Sequence, residues 1–162
     1  MREKVVGGFT IIELLVVIVI IGILATFLLV NFNNARIRTR DTQRKSDLRQ
    51  IKTGLALYYS VWGEYPADRE GQIVGCGEGS EPQPCSWGEL WHRGETVYMK
   101  PLPAAPLSSK DPDYTYFYQK LGEGFILKAL LENHSDGDIT ASQTKCLGEA
   151  AGEDYHYVVC QD

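Results

Sequence analysis

The hydrophobic positions of this chain change character along its length. From Leu14 to Val30 there are 17 residues without a charge, dominated by Ile, Leu and Val. As a helix rising about 1.5 Å per residue this run spans roughly 25 Å, the short end of a membrane crossing. Adding Phe9–Ile12 lengthens it and takes in Glu13, the one ionisable group inside the stretch. Beyond Val30 the pattern turns periodic. Leu48, Ile51, Leu55, Tyr58, Tyr59 and Trp62 recur every three or four residues with Arg, Lys, Asp and Gln between them, which predicts an amphipathic continuation of the same helix. Gly63 and Pro66 punctuate its end. One helix from about Phe9 to Trp62 would be on the order of 80 Å long, more than a small head needs to cover its core, so part of it must find lipid or other chains.

The remaining segments read differently. Residues 64–112 are rich in Gly and Pro, and GCGEGSEPQPC reads as an irregular loop clamped by its cysteines. Tyr114–Gln119 and Phe125–Leu131 read as two strands of a hairpin joined through Lys120–Gly124, and Tyr155–Cys160 as a third strand. The expected fold class is therefore α+β: a long N-terminal helix, half transmembrane and half amphipathic, packed on a small antiparallel sheet. The expected organisation is a leader at 1–8, an apolar helix at 9–30, its amphipathic continuation at 31–63, and an extracytoplasmic head at 64–162.

Charge and cysteines narrow the class. A net charge of -5 argues against wholesale nucleic-acid binding, which needs a basic surface, and no specific nucleic-acid site is identified. The charge is segregated: seven basic residues between Arg36 and Lys52 face only Asp41 and Asp47, whereas 64–95 is mainly acidic. Solvated faces are the ordinary reading of such blocks, and charge-complementary packing between subunits is the alternative. Cys76, Cys85, Cys146 and Cys160 all follow the apolar segment and suit an oxidising compartment. Three pairings are open; Cys76 with Cys85 and Cys146 with Cys160 are favoured because each closes a local loop. Zinc is the weaker reading, since no CxxC pair exists.

The motif GGFTIIELLVVIVIIGILA resembles the class III signal of type IV pilins and type II secretion pseudopilins, and LRQIKTGLALYYSVWGEYP is similar, more loosely, to their helix-ending GxYP segment. The resemblance implies cleavage by a prepilin peptidase between Gly8 and Phe9 and methylation of the new amine of Phe9. It also implies pairing of that amine with Glu13 of an adjacent copy in a helical filament. The partners implied are other copies of the chain, the peptidase and methyltransferase, an inner-membrane platform with a cytoplasmic ATPase, minor pilins, and the membrane before assembly. The implied location is the inner membrane, single-pass with the head outside the cytoplasm, then a surface or periplasm-spanning filament. The physical reading agrees: an unhindered Gly pair suits a narrow protease cleft, and an intramembrane carboxylate calls for a partner. A carboxylate that merely reaches the headgroups is the plainer alternative.

Other candidates carry less. The residues give no cofactor, with calcium at Asp136 and Asp138 of HSDGDIT as the weaker alternative to an Asp-Gly turn. His92, His134 and His156 lie far apart with no recognisable nucleophile motif, so no enzyme is expected. Tyr114, Tyr116 and Tyr118 alternate on one expected sheet face, more often a core stripe than a ligand platform. The expected function is a structural subunit of a type IV pilus-like filament. The alternatives are a type II secretion pseudopilin and, from a different class, a membrane-anchored extracytoplasmic ligand-binding protein.

Overall fold

The computed structural model describes residues 8, 10–79, 81–148 and 154–161, with the backbone alone at 27–31. Its contacts fall into two units, Met1–Ile37 and Arg38–Asp162. The first contains the opening part of helix α1 (Ile11–Trp62). Every described side chain from Ile11 to Thr26 is exposed, which for a helix apolar all round means that its cover comes from outside the unit. Among the described residues no helix is long and apolar enough to cross a membrane; the described side chains of the apolar run stop at Thr26.

The second unit is an α+β head built on the rest of α1. Leu48, Ile51, Leu55 and Tyr58 are buried, at the spacing that places them on one helical stripe. Tyr59 and Trp62, expected on that stripe, are instead 41% and 45% exposed. Tyr59 lies against Tyr65 with the rings tilted and their centroids 4.8 Å apart, and Trp62 donates its indole N–H to the Tyr98 hydroxyl at 2.7 Å. Gly63 ends the helix with a left-handed φ of 75°, its N–H bonded to the Tyr59 carbonyl.

Residues 64–112 hold more order than their composition predicts. Strands β1 (Ala67–Arg69) and β2 (Gln72–Cys76) form a hairpin to which β3 (Gln83–Pro84) adds, and β4 (Trp91–Arg93) pairs with β5 (Thr96–Met99). These strands are short and punctuated by Gly and Pro, so no periodicity announces them. Then β6 (Phe117–Leu121) and β7 (Gly124–Leu130) make the expected hairpin, with the turn tightened to Gly122-Glu123. Helix α2 (Gly137–Leu147) follows, and β8 (His156–Cys160) pairs along the other edge of β7, giving the antiparallel order β6-β7-β8.

Where the sequence predicts only an Asp-Gly turn at Asp136-Gly137, helix α2 begins. Asp136 caps it by accepting from the Asp138 N–H, and Gly148 stops it in the left-handed region. The expected tyrosine stripe is also corrected. Pro112–Tyr114 is a 3-10 turn, so Tyr114 precedes the sheet, while Tyr116 and Tyr118 are buried in the core. Cystines join Cys76 to Cys85 and Cys146 to Cys160, the second tying α2 to β8.

Helix and head approach closely at Gly54. A Cβ there would lie 2.9 Å from Met99 Cγ and Sδ and from Trp91 Cζ3. Trp91 is fully buried, with its N–H on the Gly75 carbonyl, so it cannot yield cheaply. Gly54→Ala gains helix propensity but overpacks this contact, and the net expectation is a loss of about 1–3 kcal/mol, read as a lowered urea midpoint of the full chain in detergent by tryptophan fluorescence.

Candidate assembly site

The N-terminus of α1 is built by a reciprocal cap. Thr10 donates both its backbone N–H and its hydroxyl to Glu13 Oε2, each at 2.9 Å, and the Glu13 N–H donates back to the Thr10 hydroxyl at 3.3 Å. This satisfies helix-terminal amides that an apolar surrounding would leave unpaired. Thr10 did not figure among the expected site residues, although T-x-x-E before an apolar run is the signature of this cap. Glu13 itself is exposed, and its Oε1 has no partner among the described residues. Gly8 is described and exposed; Phe9, the expected cleavage and methylation residue, lies outside the described residues.

A second arrangement fixes α1 in the head. Arg44 is fully buried. Its guanidinium donates to Asp41 Oδ1 and Glu132 Oε1, each at 2.6 Å, and to the Pro106 carbonyl at 2.9 Å, and lies over the Tyr114 ring. Arg40 adds a two-pronged contact to Glu132 at 2.7 and 2.5 Å. Asp41 in turn accepts the backbone N–H groups of Glu132 and Asn133. Asp47 is buried and accepts the Tyr116 hydroxyl at 2.6 Å; burial raises its pKa against that hydrogen bond. Part of the basic block is therefore interior, which corrects the reading of it as a solvated face. Residues 41, 44, 48, 51, 55 and 58 share one helical phase, so the apolar stripe runs on into charges that sequence reasoning left at the surface.

Asp136 and Asp138, the expected calcium candidates, both accept from Lys45 Nζ at 2.7 Å. Burial works against the Asp136 charge, but Lys45 and the Asp138 amide together hold its carboxyl below the usual range. Among the described residues no three His, Cys, Asp or Glu side chains gather as a metal site. The histidines remain apart: His92 lies 3.5 Å from Glu78, His134 stacks on Tyr155, and His156 pairs with Asp154.

Residues 4–29 match the family model of the prokaryotic N-terminal methylation motif. Type II secretion system core protein G of Pseudomonas aeruginosa is 32% identical over 108 residues, covering 65% of this chain and 71% of that protein. The chain belongs to the type IV pilin and pseudopilin family. The core protein G of Vibrio cholerae is 28% identical over 67% of the chain and 68% of that protein, and the type IV major pilin protein PilA of Myxococcus xanthus is 36% identical over 36% of the chain and 26% of that protein. No solved structure matches significantly.

This pilin-like chain is a filament subunit of a structural family, one whose members are membrane-anchored, processed by prepilin peptidase and self-assembling. Within the head, the Arg44 cluster ties α1 to the chain at Pro106 and Glu132. The Arg40 hydrogen bonds hold the Glu132 carboxyl below its ordinary value of 4.5, burial opposing and Arg44 assisting. A depressed folded value means that the contribution is complete above the unfolded value and is lost as pH falls through the folded one. Glu132→Gln is expected to lower stability at neutral pH by about 1–3 kcal/mol and to flatten the acid loss below about pH 5, measured by urea unfolding across pH.

Proposed function

We propose that this chain is a core pseudopilin, the repeating subunit of a secretion filament, rather than a surface pilin. The carrying observation is where the likeness extends. The core protein G match covers 108 residues, more than the chain holds up to Trp62, so it reaches well into the head. The PilA match covers 58 residues, short enough to lie within the leader and helix that pilins and pseudopilins share.

In this reading a prepilin peptidase cuts between Gly8 and Phe9 and the new amine is methylated. The subunit then waits in the inner membrane with its head outside the cytoplasm. An inner-membrane platform and a cytoplasmic ATPase draw it into a filament of its own copies, with minor pilins completing the fibre. Glu13 of one copy receives the Phe9 amine of the next. The cap supports this: Thr10 occupies Oε2 and holds the carboxylate in place, which leaves Oε1 for a cation. An unpaired charge in an apolar core costs several kcal/mol, which favours one axial register over its neighbours. Lipid and helices cover the same apolar surface before and after assembly, so net burial changes little and the fibre can be reversible.

Glu13→Ala should leave leader removal intact and sharply reduce sheared fibres seen by electron microscopy; unchanged fibre yield would sink the pairing. Deleting the gene should trap normally secreted proteins in the cell envelope. Normal secretion with loss of surface pili would instead favour the pilin reading that the PilA match carries.

A further inference from the structure

Two carboxylates close in sequence and turned toward one point are what a divalent cation calls for, and Asp136 and Asp138 supply them at the start of α2. That point is filled by a side chain. Lys45 Nζ, brought in from α1, lies 2.7 Å from Asp136 Oδ2 and 2.7 Å from Asp138 Oδ2. Lys45 is buried, and its ammonium stands 5.6 Å from the centre of the Tyr157 ring on β8. The other Asp136 oxygen is engaged as well: Oδ1 accepts the Asp138 N–H at 2.9 Å and caps the helix.

Calcium takes about six to eight oxygens, and the neighbouring carboxylates are already committed. Asp41 lines an open groove of about 340 Å³ with Asp136. Its Oδ1 accepts from Arg44 and the Glu132 N–H, and its Oδ2 from the Asn133 N–H. Glu132 is held by Arg40 and Arg44. Arg38, which also lines the groove, adds positive charge beside Asp136. Among the described residues each carboxylate of this corner thus has a cation, and no third His, Cys, Asp or Glu joins Asp136 and Asp138 as a metal site. The residues present do not fit a divalent metal; they fit an ammonium. Helix α2 needs such a tie at its start, because it buries only Ile139 and Gln143 and the Cys146–Cys160 bond fastens its other end. We propose that Lys45 is the resident cation of this corner, standing where a divalent metal would, so that α2 docks on α1 with no need of calcium. The inference concerns the head alone and holds for a pseudopilin and a surface pilin alike.

Amide hydrogen exchange of residues 137–147, followed by mass spectrometry on the full chain in detergent, tests it. In the unaltered chain these amides should exchange at the same rate in EDTA and in calcium chloride at about 1 mM, well above the affinity of a built calcium site. Lys45→Met keeps the stem and removes the charge, leaving two carboxylates facing each other. It should speed exchange about ten-fold, the loss expected for charge-assisted hydrogen bonds. Adding Asp136→Asn and Asp138→Asn to Lys45→Met removes the repulsion and keeps a capping side chain. Exchange should then return to within about three-fold of the unaltered chain. If Lys45→Met alone does not fold, recovery of the fold in the triple variant carries the same meaning. Calcium that slows α2 exchange in the unaltered chain, or EDTA that speeds it, overturns the proposal. So does a Lys45→Met chain that exchanges like the unaltered one, or a triple variant that recovers nothing, since Lys45 would then act through its stem and not its charge.

Discussion

A guanidinium taken wholly out of water must be answered from several sides, and the head is arranged around that demand. Arg44 meets Asp41 from its own helix, Glu132 after β7, and the Pro106 carbonyl from the segment before β6. These three partners come from separate stretches of chain, so satisfying one side chain fixes where those stretches lie against α1. Its Nε alone lacks a partner among the described residues. Replacing such a cluster by well-packed apolar residues need not weaken a protein, whereas removing one member leaves a buried charge exposed to its full desolvation cost. The cluster is therefore best understood as a device for register: a slip of α1 by one residue would carry Arg44 away from Glu132 and the Pro106 carbonyl, leaving it only Asp41 of its own helix.

Below that cluster the seat is apolar and close. Leu48, Ile51, Leu55 and Tyr58 continue the same helical stripe, and Gly54 lets Trp91 and Met99 come within contact of the helix. Lys45 reaches the start of α2 through Asp136 and Asp138, and the Cys146–Cys160 bond fastens the other end of α2 to β8. In the first unit the logic is reversed. There the helix offers exposed apolar side chains and one carboxylate held by its own cap, an arrangement suited to being covered by lipid or by other copies.

Much of this was legible in the residues. The switch from an unbroken apolar run to three-and-four spacing marks α1, and the apolar segments flanking Gly122 mark the β6–β7 hairpin. The failures have physical causes. The strands between Ala67 and Met99 are two to five residues long, below the length at which alternation can be seen. Helix α2 opens on Gly137 and buries only Ile139 and Gln143, too narrow a face to outvote an Asp-Gly turn. Residue type places Arg44 and Asp41 at the surface, whereas their helical phase with Leu48 and Ile51 places them inside. The charge of Glu13 inside an apolar run masks its second role, three residues after Thr10, as the acid of a helix cap.

Removal of the leader turns the N-terminal helix of a pilin-like subunit into its assembly element. Intact-mass and N-terminal peptide mass spectrometry of the chain purified from membranes tests that most directly. The expected result is a mature protein beginning at Phe9 with a methylated amine. A chain that still begins at Met1, in cells that contain an active prepilin peptidase, would contradict it.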